Sequence, residues 1–492
     1  MPVARFGGTT AAMTTRYTRQ SFSNKRLAIM LSELGGCSAR RGCRWFLLCA
    51  IALVGCDLIL RSTRADRKPG PDQGIPASAR KGRSRQPGDV LVILTLSGGG
   101  IARGGAGLRN DGVALRDVKL RMGGRSRRLL DEVDVINAVS GGSIVAAYYA
   151  VHREGLFRDF EAKFLKRDVE RQLRAELLAN LPRLAQPQFS RGEVLADYFD
   201  RELFRRRDVR RSGPRQHAAV CGHQRHRSGD RCPVSFHAGP IRPAVLGPGS
   251  VSLGRAVAAS AALPPFFSAI TVENYAGTCG PVSLPGIAAS IDRSARTRVV
   301  RLEEARTYMD RSRRPHVHLV DGGLIDNLGL RVAGDFAVEQ GGFFELVDAL
   351  GYRDVTHVVF ISVNAETDPN YAIDQSADTP NFFQTLNALK LPGRAHSFDV
   401  AEQLRSSFEV WRDEVRSGVL ARARRCGRVG PQFYFIDVSL QAIEDEEERN
   451  GFQGIPTALT LDPAAVDRLR AVARKLLLGS ADFKRLVADL GS

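Results

Sequence analysis

The chain has 492 residues, of which 43% are hydrophobic and 25% are charged, and its formal net charge is +18 at pH 7. This composition supplies a sizeable core and excludes both wholesale disorder and a polytopic membrane protein. A strong positive charge is typical of nucleic-acid binding, but here it is concentrated in two segments. Residues 1–55 carry +7 and residues 205–245 carry +8, which leaves +3 for the rest. We therefore predict no nucleic-acid partner.

A lipoprotein signal is predicted near the amino terminus. Three arginines within residues 40–44 precede an apolar run over residues 45–55. The run is too short for a membrane-spanning anchor, the alternative reading, because spanning takes about 20 residues. Residues 53–56 resemble the bacterial lipobox, in which the cysteine, here Cys56, receives the lipid. This pattern predicts an envelope protein held by a lipid anchor, without indicating which membrane. The following segment, residues 56–88, is predicted to be a flexible basic tether.

The first strong pattern of the folded body is an apolar run that ends in glycines. Residues 90–96 are continuously apolar and β-branched, which predicts a buried parallel strand. Ser97 and then Gly98, Gly99 and Gly100 follow directly. Glycines after a strand let successive backbone N–H groups converge on one anion, either a phosphate or a developing oxyanion.

A second block predicts a serine on a sharp turn. A strand ending at Ala138 and a helix beginning at Ser143 enclose Ser140, Gly141 and Gly142. Strand, tight turn with a central serine, and helix together make the nucleophile elbow, which raises the serine Oγ out of the sheet. The usual pattern is Gly-x-Ser-x-Gly. Ala138 fills the first position here, and alanine is small enough to keep the strand and helix close.

A carboxylate after a further predicted strand is the candidate general base. Val317 and Leu319 alternate with polar neighbours, which predicts a strand that delivers Asp321 into a turn formed by Gly322 and Gly323. An acid at the carboxyl end of a strand lies where open α/β sheets place their active sites.

Other polar residues near these blocks are given structural roles. His316 and His318 share the strand face opposite to that of Asp321, because side chains alternate along a strand. Residues 259–267 predict a helix end followed by a proline turn, and we assign Ser260 no chemistry.

Together, these four blocks resemble the patatin-like phospholipase family over about residues 89–330. The resemblance implies a three-layer α/β/α fold with a mostly parallel sheet, and a serine–aspartate dyad that cleaves lipid or phospholipid esters without a cofactor. It implies that Ser140 is the nucleophile and Asp321 the base. The implied oxyanion hole consists of Gly98, Gly99 and Gly100. The implied supports of the elbow and of the aspartate turn are Ala138, Gly141, Gly142, Gly322 and Gly323.

The rest of the chain is predicted to continue the same domain, which then covers residues 89–492. The elements expected beyond the resemblance are two buried strands over residues 357–363 and 433–438, a helical stretch over about 381–415 interrupted near Pro392-Gly393, and a helix opened by Asp462-Pro463.

Two segments depart from the family pattern. Residues 102–112 are too rich in glycine for the helix expected there, since each interior glycine costs about 1 kcal/mol relative to alanine. Residues 205–249 are dense in Arg, His, Pro and Gly, and nothing in them alternates as a strand would. The interpretations are a basic loop, a metal- or nucleic-acid-binding insertion, and out-of-frame translation. We favour the last, because family-like sequence returns abruptly after each segment, and we predict no metal site.

The sequence thus predicts an enzyme, a membrane-anchored serine acyl hydrolase of phospholipase A type, and leaves its oligomeric state open. The alternative is a catalytically impaired envelope lipoprotein that keeps the scaffold. Ala138 and the disrupted stretch after Gly100 support that alternative.

Overall fold

A computed structural model of the chain describes residues 89–99, 115–122, 124–204, 234–236, 251–274, 276, 306–331, 355–367, 377, 379, 390–416, 431–455 and 458–491. The strands are β1 Asp89–Leu96, β2 Lys119–Met122, β3 Arg125–Arg128, β4 Val133–Ala138, β5 Val234–Phe236, β6 Ile270–Glu273, β7 His316–Leu319, β8 Val355–Asn364 and β9 Gln432–Ser439. The helices are α1 Gly141–His152, α2 Gly155–Arg158, α3 Val169–Ala179, α4 Leu181–Leu184, α5 Arg191–Glu202, α6 Leu253–Ser260, α7 Lys390–Arg416, α8 Glu446–Gln453, α9 Pro463–Gly479 and α10 Ala481–Leu490. Short 3₁₀ turns lie at Leu129–Glu132, Gly322–Leu324 and Leu440–Ala442, and a π turn lies at Glu161–Leu165.

The central sheet has five parallel strands in the order β5-β4-β1-β8-β9. Strand β1 lies in the middle and is buried from Val90 to Leu96, as its unbroken apolar run predicts. Because all five strands run the same way, their carboxyl ends share one edge of the sheet. The loops that follow β1 and β4 therefore meet at this edge.

Helices cover both faces of the sheet. On one face, α1, α5, α6, α9 and α10 contribute apolar side chains to a large core that includes the side chains of Leu94 and Ile361. On the other face, α7 packs Leu404 and Phe408 against Phe360 and the neighbouring strands in a smaller core. The predicted three-layer α/β/α architecture is confirmed.

Helix α7 corrects one prediction. Its helical backbone runs through Pro392-Gly393 without the predicted interruption. Proline is tolerated there because it lies in the first turn of the helix, where its missing N–H would have no partner within the helix. Residues 381–389 of the predicted helical stretch lie outside the described residues.

The segment over residues 205–249 contains one strand that the sequence analysis did not find. Val234–Phe236 forms β5 and pairs in parallel with β4 over Ile136 to Ala138. Three residues are too few for an alternation pattern to stand out. The remainder of this segment and all of residues 102–112 lie outside the described residues.

Candidate active site

Ser140 lies on a strained turn between β4 and α1. Its backbone has φ 50° and ψ −118°, a conformation that side-chain-bearing residues rarely adopt. The helix begins directly after it, at Gly141, two residues earlier than predicted. Such a turn lifts the serine Oγ above the end of the sheet, which is the geometry of a nucleophile elbow.

Small residues allow the start of α1 to lie against the end of β1. A Cβ on Gly142 would be 2.6 Å from the carbonyl oxygen of Leu96 and 2.9 Å from the carbonyl oxygen of Ser97. Ala138, at the first position of the elbow pattern, is 1% exposed. This close approach fixes the distance between Ser140 and the glycine loop that follows β1.

Asp321 reaches the serine from a separate part of the chain. Its carboxylate Oδ2 accepts a hydrogen bond from the Ser140 hydroxyl at 3.0 Å, and its Oδ1 accepts one from the Gly323 backbone N–H at 2.8 Å. Its own N–H donates to the carbonyl of Ala262 at 3.1 Å. The two side chains named by the sequence analysis as nucleophile and base are therefore in direct contact, and the glycine turn orients the carboxylate.

Burial changes the acid strength of Asp321. The side chain is nearly inaccessible to water, with 4% exposure. Loss of hydration raises the pKa of this carboxyl to about 6, although the hydrogen bonds from Gly323 and Ser140 oppose the rise. A carboxylate with this pKa is a stronger base than an exposed aspartate and is still ionised at neutral pH.

The strand that delivers Asp321 does not belong to the central sheet. Strand β7 pairs antiparallel with β6 in a separate two-stranded sheet, so our placement of Asp321 at the end of a strand of the open sheet was wrong. The predicted alternation within β7 is confirmed, because Val317 and Leu319 are buried while His316 and His318 are exposed. The ring of His318 contacts the Thr271 hydroxyl.

The glycine loop after β1 lies close to Ser140. A Cβ on Gly98 would be 3.3 Å from the Cβ of Ser140 and would clash with the side-chain oxygen of Asn327. The Gly98 N–H, one of the donors implied for the oxyanion hole, donates to the carbonyl of Asn327 at 2.9 Å. Gly99 has φ +119°, and a Cβ there would be 2.6 Å from the Ala365 carbonyl oxygen. Gly100 lies outside the described residues.

Two residues contribute to the site without having been assigned a role from the sequence. Ser260, the last residue of α6, is 2% exposed, and its Oγ accepts a hydrogen bond from the backbone N–H of Ser140 at 2.9 Å. Asn327 lies between the two glycine turns. Its side-chain oxygen would be 2.9 Å from a Cβ built on Gly323, and it would also contact a Cβ built on Gly98. Neither contact leaves a periodic signal in the sequence.

Helix α6 is in turn held by α5. The Asp200 carboxylate accepts from the Gly254 N–H at 2.7 Å in a buried contact. The Arg255 guanidinium forms an ion pair with Glu193 at 2.8 Å, and both side chains are largely shielded from water. These contacts position the end of α6, and hence Ser260, under the elbow.

The fold and the site together define a class of protein, an α/β protein that presents an elbow serine at the carboxyl edge of a parallel sheet. Residues 94–333 match the family model of patatin-like phospholipases. The chain thus carries a patatin-like phospholipase domain, and the family predicted from its motifs is confirmed. Lipid acyl hydrolysis is the general activity of this class. A comparison with curated proteins finds no match.

The described residues contain no candidate metal cluster and no candidate membrane span. Among them, no group of three or more His, Cys, Asp or Glu side chains is placed to hold a metal ion. No helix in the same parts of the chain is long and apolar enough to cross a bilayer. Cys56 and the lipobox pattern lie outside the described residues.

Proposed function

We propose that this protein hydrolyses acyl ester bonds of membrane lipids, in the manner of a phospholipase A, with Ser140 as nucleophile and Asp321 as general base. The observation that carries the proposal is the 3.0 Å hydrogen bond from the Ser140 hydroxyl to the buried Asp321 carboxylate. It is supported by the positive φ of Ser140, which is the conformation of an elbow nucleophile.

In the proposed reaction, Asp321 takes the hydroxyl proton as Ser140 Oγ attacks the ester carbonyl carbon. The carbonyl oxygen becomes an oxyanion, and the proton then passes to the leaving alcohol as the ester C–O bond breaks. Asp321 next takes a proton from water, whose hydroxide attacks the acyl-serine and releases the fatty acid. The proton returns to Ser140, so the enzyme is restored.

We assign the oxyanion contact to the N–H groups of Gly99 and Gly100. The Gly98 N–H is already bonded to Asn327, so we propose that Gly98 contributes close approach rather than a donor. Loss of a single oxyanion donor typically lowers the rate about 10²–10³-fold. The N–H groups of the first turn of α1 lie beside the serine and add a positive helix end near the developing charge.

The deciding experiment is active-site labelling with a fluorophosphonate, followed by mass spectrometry of the modified peptide. We expect Ser140 to be labelled, and we expect Ser140→Ala and Asp321→Asn each to lower kcat/KM on a soluble ester at least about 10³-fold. Asp437→Asn is the matched control, because Asp437 is a half-buried carboxyl whose pKa is also raised by loss of hydration, on β9 three strands away from β4. Near-normal turnover by either site variant would remove the dyad.

The occupied Gly98 N–H favours one alternative, an envelope lipoprotein that keeps the scaffold without catalysis. The same labelling experiment separates the two. Protein that unfolds cooperatively on heating, yet is not labelled at Ser140, would support the inactive scaffold.

We also propose that Cys56 carries a lipid that holds the protein in a bacterial envelope membrane. The support is the match of residues 53–56 to a lipobox after a short apolar run. Metabolic labelling with an alkyne fatty acid should mark the protein and fail to mark Cys56→Ser. Equal labelling of both would contradict the anchor.

A further inference from the structure

Exposed apolar side chains lie on the two loops that meet at Asp321. Phe266, Val320, Leu324 and Ile325 are 49%, 38%, 49% and 54% exposed, and we call these four residues the apolar rim. Nine large apolar side chains are exposed in the described part of the chain, and the rim holds four of them. Single exposed apolar residues are ordinary, but a cluster of them indicates a contact surface.

The rim is built on the two loops that hold Asp321. Val320 precedes Asp321, and Leu324 and Ile325 follow it in and after the 3₁₀ turn. Phe266 is on the proline turn after α6, and the Ala262 carbonyl at the start of that turn accepts the Asp321 N–H. The backbone that buries the carboxylate thus directs its apolar neighbours outward.

A cation contacts the loop that carries Phe266. Arg191 is at the start of α5, and its exposed guanidinium donates to the carbonyl of Pro265, next to Phe266, at 2.6 Å. A band of aliphatic and aromatic side chains edged by a guanidinium matches the boundary between acyl chains and phosphate headgroups.

From this arrangement we propose that the apolar rim inserts into the surface of a lipid bilayer and seats Ser140 and Asp321 over its ester groups. The proposal rests on the proposed function and deepens it, because it names an aggregated lipid surface as the form in which the site meets its substrate. It is independent of the anchor at Cys56, which would tether the protein without orienting the site.

A lipid surface fits the rim better than a protein does. Val320, Leu324 and Ile325 flank Asp321 in sequence, and Asp321 bonds to Ser140, so a second copy bound tightly to the rim would obstruct the approach to the dyad. A bilayer covers the same side chains and delivers an ester to the serine. The rim also carries large apolar side chains, and their transfer from water to an acyl environment lowers the free energy.

The test measures binding to vesicles of phosphatidylcholine containing a minority of phosphatidylglycerol, using the full chain with Cys56→Ser and Ser140→Ala so that neither anchor nor turnover contributes. We compare this parent with Leu324→Glu/Ile325→Glu and, on the other loop, with Phe266→Ser. The matched control is Leu178→Glu, since Leu178 is on α3, outside the two loops that carry the rim, and is 66% exposed. Vesicles of pure phosphatidylcholine show how much of the binding depends on anionic headgroups.

We expect the parent to float with vesicles and Leu178→Glu to bind as the parent does. We expect the double variant to bind at least about tenfold more weakly than the parent, and Phe266→Ser also to bind more weakly. A parent that does not bind, or a control that loses as much as the rim variants, would overturn the proposal. So would rim variants that bind normally but dissociate a dimer in analytical ultracentrifugation, because a second copy would then occupy the rim.

Rates measured with Ser140 intact separate this inference from the proposed function. We expect the ratio of vesicle to soluble short-chain ester hydrolysis to fall about tenfold in the double variant and to stay constant in Leu178→Glu. If the protein hydrolyses neither substrate but its binding to vesicles depends on the rim, the proposed function is wrong and the proposed lipid-binding surface stands. If the protein hydrolyses both substrates and the ratio of the two rates is unchanged in the double variant, the proposed function stands and the proposed role of the rim is wrong.

Discussion

Two carboxyl groups of this protein, those of the buried Asp321 and the half-buried Asp437, have similar acid strengths but different neighbours. Burial raises the pKa of Asp321 and of Asp437 to about 6 in each case. Asp321 bonds to the hydroxyl of Ser140, whereas Asp437 bonds to that of Ser362 and feels the charge of Arg405. Acid strength alone therefore does not identify the base, and the contact with an elbow serine does.

The pKa of Asp321 predicts how activity depends on pH. The base must be ionised, and below about pH 6 the raised pKa leaves this carboxyl protonated. We expect kcat/KM on a soluble ester to be nearly constant above pH 7 and to fall about tenfold for each pH unit well below 6. A pH–rate profile measured with buffers of constant ionic strength checks this.

Asp437→Asn provides the control for that profile. If Asp321 sets the inflection, the inflection near pH 6 stays in place when the carboxyl of Asp437 is removed. An inflection that moves in Asp437→Asn would assign it to Asp437 instead. An inflection near pH 4 in both proteins, the range of exposed aspartates, would show that Asp321 is more hydrated during turnover than its burial implies.

At the scale of elements, helix α6 acts on the site through its last residue. The Ser260 hydroxyl oxygen accepts a hydrogen bond from the backbone N–H of Ser140 and thereby stabilises the strained turn. The helix itself is fixed by Asp200 and Glu193 of α5. Ser260 is thus a positioning residue, and our assignment of a simple packing turn to this block missed that function.

Removing the Ser260 hydroxyl should lower activity more than it lowers stability. Ser260→Ala leaves the Ser140 N–H without its acceptor, and we expect kcat to fall about tenfold because the nucleophile loses its fixed position. Ser252→Ala is the matched control, since Ser252 caps the same helix by accepting from the Arg255 N–H. It should cost about 1 kcal/mol of unfolding free energy with kcat retained. Equal kcat losses in both variants would indicate a general loosening of α6.

The elements with strong local patterns were predicted well. The apolar run of β1, the strand and elbow around Ser140, and the helix opened by Asp462-Pro463 all depend on neighbours in sequence, and all are present. The features that sequence reasoning missed depend on distant pairing. Strand β5 is defined by its partner β4, and β7 leaves the central sheet because β6 pairs with it.

At the scale of the whole molecule, the fold extends beyond the family match. The match ends at residue 333, yet β8 pairs with β1 along its whole length and β9 extends the sheet beyond it. Helices α9 and α10 then cover β9 as part of the larger core. A sheet cut after residue 333 would keep β1 with one side unpaired and its apolar faces uncovered.

We therefore expect a fragment that ends at residue 333 not to fold, although it contains both Ser140 and Asp321. Compared with residues 89–492, residues 89–333 should be insoluble or lack cooperative thermal unfolding by circular dichroism. A soluble fragment that melts cooperatively and reacts with a fluorophosphonate would instead show that the carboxyl-terminal third is dispensable.

The site itself was only partly predictable. Ser140, Asp321 and their glycine turns carry motifs, because each needs small residues at fixed spacing. Asn327 and the engaged Gly98 N–H could not be foreseen, since no sequence rule states which carbonyl a loop N–H will meet. The rim was likewise hidden, because exposed and buried apolar residues look alike in sequence.

The backbone conformation of Ser140 favours catalysis at the expense of thermodynamic stability. Its φ and ψ are close to those of the first central residue of a type II′ turn, where glycine is usual. Ser140→Ala and Ser140→Gly both lack the hydroxyl, but only glycine relieves the backbone, so Ser140→Gly should be more stable by about 1 kcal/mol or more in chemical denaturation. Equal midpoints would show that the turn stores no energy. If the difference is found, the inactive Ser140→Gly variant should unfold at a higher temperature than the active protein.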